Sequence, residues 1–549
     1  MKRIRYTTTA VGLSALLALS GCGAQQPASS GAVEAVSSAT EETAVTTASA
    51  AGTGSLFSDR DLQGTYDESS AIPIQLNGDS AACDADGVTI EGSRIIIRQE
   101  GVYLLSGTLT DGQVVVDAGE NDKVQLVLDG ADITSSTSAA IYALEADKVF
   151  VTLAAGTENT LTNGGEYVAL DDNNIDAVIF AKTDLTLNGT GSLTVNAQAG
   201  HGVISKDDLV ITGGNYTITA ASHGLSGKDS VAIADGSFTI TAGKDGIHAE
   251  NADDLSQGSL SIVDGSFTIT AQGDAISAQG ALQIDGGTFA LYTGAGSASV
   301  DMTTTQTGQP GTRGQTEATS TATEEETASQ KGIKGESGFT ITGGTFTIDS
   351  ADDCLHAGGA MTLAAGTFTL NSGDDAIHCD DALTIQSGTF TIPYCYEGIE
   401  GASITIEDGT FDITSNDDGL NAAGGADSSG FGGFGKGPQD TFASGSDSFI
   451  TINGGSLTVV SSGDCVDSNG ALTINGGTLE LTCNGNGDTA LDCDGTYTNN
   501  GGNVSTNDGS ESNPGQMGGG RNGGQSGGGP KGSAAGSVRP DGQTDATSS

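Results

Sequence analysis

Residues 209–228 read LVITGGNYTITAASHGLSGK, and the same phrase returns at 231–250 (VAIADGSFTITAGKDGIHAE), 361–380 (MTLAAGTFTLNSGDDAIHCD) and 402–421 (ASITIEDGTFDITSNDDGLN). Each copy holds a short alternating strand, a glycine corner, a second strand and a mostly acidic turn that ends on an aliphatic residue. The period is about twenty-two residues. One copy is too small to bury its own apolar face, so copies must stack on one another.

Two anchors set the register. An aromatic, later leucine, anchor falls at Tyr216, Phe238, Phe267, Phe289, Phe346, Phe368, Phe390, Phe411, Leu457 and Leu479. An aliphatic anchor closes the turn at Leu225, Ile247, Ile276, Leu355, Ile377, Ile399, Leu420 and Val466. Where the spacing jumps, both anchors jump together. Phe289 to Phe346 and Ile276 to Ile333 are each 57 residues, which makes Ile333 a displaced anchor behind an insertion near 294–330. A shared 46-residue step, Phe411 to Leu457 and Leu420 to Val466, places a second insertion near 422–447. Only the last coil departs, with Leu491 twelve residues after Leu479.

Runs such as FTIT and LTIN alternate with strand periodicity, and no stretch beyond the leader holds a helical period. Coils of about twenty-two residues predict an all-β chain, a right-handed parallel β-helix with rungs about 4.8 Å apart. Propeller blades need roughly 40 residues or more. Residues 86–200 carry the same grammar less regularly and read as opening coils and cap.

Residues 1–21 form a secretory leader: Lys2, Arg3 and Arg5 precede an apolar core too short to span a bilayer. Leu19-Ser20-Gly21-Cys22 is a bacterial lipobox pattern, so Cys22 is the expected lipidation site and the chain an extracytoplasmic, membrane-anchored lipoprotein. Residues 22–56 read as a disordered tether, 57–505 as the solenoid, and 506–549 as a disordered Gly-rich tail. Acidic residues outnumber basic ones 70 to 19, a formal charge of −51, which removes nucleic acid from the partners. Trp is absent, so aromatic platforms for sugar stacking are scarce. Seven cysteines remain after Cys22, without zinc-type spacing; packing and rung-to-rung disulfides both stay open.

Equal register in a stack means contact in space. Two residues before the turn anchor stand Asp245, Asp274, Asp353, Asp375, Glu397, Asp418 and Asp464, with second acids at Asp352, Asp374 and Asp417. Carboxylates one rung apart repel by roughly 3–4 kcal/mol at an effective dielectric near 20. Ca2+ removes that penalty with six to eight oxygen ligands. Asp352, Asp353, Asp374 and Asp375 are the expected calcium ligands, with Asp245 and Asp274 next, although Asp is also a common turn former. Three residues after the anchor, Lys182, Lys206 and Lys228 form a stripe suited to an acidic glycan, or to pairing with Asp184, Asp207 and Asp229. His248, His356 and His378, one residue after the anchor, read as turn residues more than as metal ligands.

The run at 205–251 (SKDDLVITGG through GIHAEN), with the leader, the lipobox and FSDRDLQGTYDE at 57–68, resembles a bacterial family. These are extracellular carbohydrate-binding lipoproteins of the cellulose- and polygalacturonate-binding β-helix type, related in shape to pectate lyases. The resemblance covers roughly residues 57–505. It implies bound Ca2+ and binding of plant cell-wall polysaccharide, acidic pectic glycan or cellulose. It also raises a calcium-dependent lyase, whose base would be Lys206 or Lys228 with calcium on Asp245 or a nearby acid. A structural surface stalk is the remaining alternative. No catalytic residue stands out, because every candidate acid continues a column where a catalytic site would break it. Binding without catalysis is therefore the expectation.

Changing Cys22 to Ser should release the protein into the medium or leave an unprocessed precursor. Membrane fractionation of a correctly cleaved mutant at the wild-type level would refute lipid anchoring.

Overall fold

Alternation of Ser or Thr with Phe, Ile or Ala lays each strand down with one wet and one buried face. In the computed structural model, which describes residues 56–165, 167–168, 173–302, 329–423 and 448–514, Ser237–Ala242 buries Phe238, Ile240 and Ala242 and exposes Ser237, Thr239 and Thr241. The described residues build an all-β solenoid from a 30-stranded and a 16-stranded sheet. Apart from two antiparallel hairpins (Ile72–Gly78 with Ala81–Ala82, Val88–Glu91 with Arg94–Ile97), strands pair in parallel with their register mates.

Each coil contributes to three parallel ladders. The first holds strands such as Ser230–Ile233 and Ser259–Ile262, the second Ser237–Ala242 and Ser266–Ala271, the third Ile247–Ala249 and Ile276–Ala278. The first two ladders merge at Lys123–Ser135, a 13-residue strand that pairs in both.

The aromatic anchors form one stacked column. From Phe238 to Phe411 successive ring centroids lie 4.7–4.8 Å apart, with planes within 6° of parallel. Phe368 is wholly buried. The glycine two residues earlier is needed: Gly366 has φ +135°, and a Cβ there would sit 2.8 Å from the Phe368 ring.

Both long steps close in register. Phe289 pairs with Phe346 and Ile276 with Ile333; Phe411 pairs with Leu457 and Asn421 with Asp467. The coils on either side of each insertion therefore stack directly. The first insertion leaves after Thr288–Thr293 and the chain returns at Ile333–Gly335; the second lies between Leu420–Ala422 and Phe449–Ile452. Most of both insertions, the leader, Cys22, the tether and most of the Gly-rich tail lie outside the described residues.

The FSDRDLQ segment is strapped across the early coils. Asp61 is buried, accepts the Thr186 hydroxyl at 2.6 Å and meets Lys148 Nζ at 2.9 Å. The seven described cysteines are all free thiols, five of them buried.

Phe368→Ala should cost about 3–5 kcal/mol in chemical denaturation, because the gap opens inside a continuous stack. Phe449→Ala, at a ring 38% exposed, should cost about 1 kcal/mol or less. Equal costs would show that the aromatic column does not carry the stack.

Candidate functional site

The corner between the second and third ladders gathers the column two residues before the turn anchor. It runs His201, His223, Asp245, Asp274, Lys331, Asp353, Asp375, Glu397, Asp418, Asp464 and Thr489. Its first task is structural. Backbone N–H groups at this corner take a side-chain acceptor from the neighbouring rung. Asp274 N–H donates to Asp245 Oδ1 at 2.9 Å and Lys331 N–H to Asp274 Oδ1 at 2.7 Å. Asp375 N–H donates to Asp353 Oδ1 and Glu397 N–H to Asp375 Oδ1, each at 3.1 Å. Asp464 N–H donates to Asp418 Oδ1 at 2.6 Å, and Thr489 N–H to Asp464. His223 does the same with nitrogen: its Nδ1 accepts the Asp245 N–H at 3.3 Å. An acceptor side chain serves most positions of the corner; past Lys331, which cannot accept, the Asp353 N–H turns instead to Asp352 Oδ1 at 3.0 Å.

The second carboxylate oxygen of each residue decides the charge balance. At the expected calcium quartet, Asp352, Asp353 and Asp374 place ligand oxygens within 4.8 Å of one another. The cation facing two of them belongs to the chain. Lys331 Nζ lies 2.8 Å from Asp352 Oδ1 and 2.6 Å from Asp353 Oδ2, and all three side chains are buried. Burial works against the Asp353 carboxylate, but Lys331 and His356 outweigh it and hold its pKa well below the usual range. Asp375, one rung on, is raised well above that range by burial and by Asp374. Lys331 was overlooked in the sequence because only acids were followed along the column; its place two residues before Ile333 was visible.

Asp245 and Asp274 are adjacent but sit in different fields. Asp245 Oδ2 lies 3.3 Å from His223 Nδ1 and 2.8 Å from His248 Nδ1. Burial opposes its charge, yet these imidazoles hold its pKa low. Asp274 is pushed up to about 6 by burial and by Asp245.

Towards the C-terminal end no described Lys or Arg pairs with the acids of the column. Burial, then Glu400 for Glu397 and Asp417 for Asp418, raises both well above the usual carboxylate range. Burial with Asp467 and Asp492 nearby lifts Asp464 to about 7, and burial with Asp492 lifts Asp467 to about 6. Asp464, Asp467 and Asp492 bring ligand oxygens within 4.8 Å of one another. Among the described residues no Lys or Arg pairs with these three.

The lysine stripe assembles. Lys182, Lys206 and Lys228 donate equivalent backbone N–H groups to Ala143, Ala181 and Ser205, one rung apart. Lys182 and Lys206 are exposed, and Lys206 Nζ sits 5.4 Å from the Phe180 ring centroid. Lys228 pairs with Asp253 at 2.6 Å, not with Asp229. The same register position continues through Glu250, Gln279 and Glu336. These three line a cavity of about 800 Å3 together with His223, Asp245 and Lys334. Among the described residues no Phe, Tyr or Trp lines it. Its walls hold amide, hydroxyl, carboxylate, ammonium and imidazole groups, which suit a ligand rich in hydroxyls.

A model of the carbohydrate-binding domain-containing protein family matches residues 91–376 and 374–519. The chain belongs to this family. A carbohydrate-binding domain-containing protein of Acetivibrio thermocellus (strain ATCC 27405) is 41% identical over 150 residues, which are 27% of this chain and 52% of the relative. The chain thus spans about half the length of that curated relative. Among solved structures, a polysaccharide lyase-like protein from C. thermocellum, as a gadolinium derivative, aligns at 37% identity with a TM-score of 0.39. That alignment covers 41% of this chain and 92% of the other. Carbohydrate binding is the function that family membership supports.

The raised carboxylates set a pH dependence. Asp464, Asp467 and Asp274 titrate in the folded protein at about 7, 6 and 6, and near 4 when unfolded. The folded state then binds more protons, so stability should rise as pH falls from about 7 towards 4. His201, pushed down to about 3 by burial and by His223, opposes this trend, and below pH 4 Asp61, held at about 2 despite burial by Thr186 and Lys148, reverses it. Chelator-treated protein should melt higher at pH 5 than at pH 7.5. The opposite order would mean that the carboxylates are ionised without strain.

Proposed function

We propose that this chain is a lipid-anchored, non-catalytic module on the bacterial cell surface that holds plant-type polysaccharide, acidic pectic glycan or cellulose, with calcium assisting. The observation that carries this reading is one continuous register column. It leads from the exposed cations Lys182 and Lys206, past Lys228 paired with Asp253, into the polar cavity at Glu250, Gln279 and Glu336. A uronate polymer following it would meet ammonium groups first and hydrogen-bonding groups next. We read the coil as right-handed, the hand that parallel crossover connections take in about 98% of cases.

Calcium fits the donor chemistry at Asp464, Asp467 and Asp492, where all donors are oxygen and two carboxyls are raised by burial and then by neighbouring carboxylates. The ion would supply positive charge that lets these acids ionise together. Asp374 and Asp375 stay in the proposal as further ligands; Asp352 and Asp353 already hold Lys331.

Lys228 favours binding over a lyase. A lysine base works when its pKa is lowered towards neutrality. Lys228 is displaced upward by its hydrogen bond to Asp253. Lys331 and Lys334 are raised as well: burial opposes the charge of each, but Asp353 and Asp352, and Glu336, outweigh it.

Polygalacturonate binding should weaken on chelation and on changing Lys182, Lys206 and Lys228 to Gln, and the triple variant should show a flatter dependence on salt. Neutral glucan binding should change less. Incubation with polygalacturonate and Ca2+ should give no rise in unsaturated-product absorbance. A rise that disappears in Lys206→Gln or Lys228→Gln would replace the binding module with a lyase.

A further inference from the structure

Three residues meet at the wall of the cavity: His223, Asp245 and His248 each bring a ligand atom within 4.8 Å of the others, and Asp245 Oδ2 lies 3.3 Å from His223 Nδ1 and 2.8 Å from His248 Nδ1. The hydrogen bonds around them fix which atoms carry lone pairs. His223 Nδ1 accepts the Asp245 backbone N–H, so it holds no hydrogen of its own. His248 Nε2 lies 3.0 Å from Glu250 Oε2. A carboxylate only accepts, so in the neutral ring the hydrogen sits on Nε2 and Nδ1 bears a lone pair. That Nδ1 is buried and makes no hydrogen bond, although Asp245 Oδ2 is 2.8 Å away. In the metal-free chain the His223 lone pair meets the Asp245 N–H at 3.3 Å and His248 Nδ1 faces Asp245 Oδ2 at 2.8 Å, so an ion entering here would replace those contacts with bonds to two imidazoles and one carboxylate.

We propose that His223, Asp245 and His248 form a binding site for a divalent transition-metal ion of the zinc class. Two imidazoles and one carboxylate match that class, whereas calcium seeks six to eight oxygens. Three protein ligands leave coordination positions open, and all three residues line the cavity, so the open side of the ion faces it. Glu250 is the positioning residue: a carboxylate on the far ring nitrogen orients a ligating histidine and sharpens its basicity. The rings of His223 and His248 stack at 4.3 Å, and His201 stacks on His223 at 5.0 Å, which fixes their planes.

The same two register positions one insertion later show what a closed version looks like. His378 Nδ1 meets Asp375 at 3.2 Å and Glu400 at 2.8 Å, and Nε2 meets Asp380 at 3.0 Å. Both ring nitrogens there face carboxylates, and the ring is 1% exposed. A third carboxylate, Glu400, closes off His378, whereas His248 has only Asp245 and Glu250 beside it and lines the cavity.

The site is independent of which glycan the chain holds. Full-length protein stripped with chelator and then titrated with Zn2+ in excess Ca2+ should take up one equivalent by calorimetry and melt at a higher temperature. His223→Gln and His248→Gln should each abolish that equivalent, and Glu250→Gln should weaken it by about 10–100-fold while leaving the metal-free melting temperature unchanged. Zinc-edge X-ray absorption on wild-type protein decides the matter without any variant. Imidazole scattering with nitrogen and oxygen donors is expected; a sulfur shell would place the ion on the cysteines and overturn the assignment. Uptake that survives in the His223→Gln, His248→Gln double variant, or no uptake by wild type, would also overturn it and leave Asp245 bridged by a proton.

Discussion

Every structural feature follows from rungs stacking in equal register. Because each strand bonds to its own copy about 4.7–4.8 Å away, as the phenylalanine stack measures, a residue chosen once is repeated as a column. The stack multiplies whatever that residue does with its own kind. For Phe this is favourable at each step, and the apolar area removed from water adds along the axis. For Asp the same geometry is a liability, since like charges are brought together in a buried corner. The molecule tolerates the acidic column because one oxygen each of Asp245, Asp274, Asp353, Asp375, Asp418 and Asp464 accepts a backbone N–H from the next rung.

That dual role explains where the local charge goes. Where the chain supplies a cation, as Lys331 does beside Asp353, the carboxylate stays ionised. Where it supplies none, as at Asp464 and Asp467, the carboxyls hold protons into the neutral range. Protons answer the crowding there, and the proposed calcium would compete with them for the same oxygens.

The stack and its register were legible in the sequence because two anchors of different chemistry kept the same offset across both insertions. Phe289 beside Phe346 and Ile276 beside Ile333 required only counting. The columns were legible in part. Following acids alone found Asp245 and Asp353 but passed over His201, His223 and Lys331, which occupy the same register position with other residue types. The pairing of Lys228 with Asp253 in place of Asp229 was beyond reach, since it depends on how the longer turn after Ala249 folds back. Reading position first and residue type second would have recovered most of what was missed.

The place of the cavity follows from the same logic. A uniform column builds a uniform surface, and a uniform surface has no reason to single out one rung. Between Val203 and Ile333 three columns change character together. Two residues before the anchor the chain passes from His223 to Asp245, Asp274 and Lys331; one residue after it, from Ile204 through Ser226 to His248, Ser277 and Lys334; three residues after it, from Lys228 to Glu250, Gln279 and Glu336. The first insertion interrupts the coil at the same level. Side chains of unequal length on consecutive rungs cannot stack flush, so a recess opens where they alternate, and its walls carry mixed charge because the columns do. In a solenoid the departure from the repeat, more than the repeat itself, makes a site.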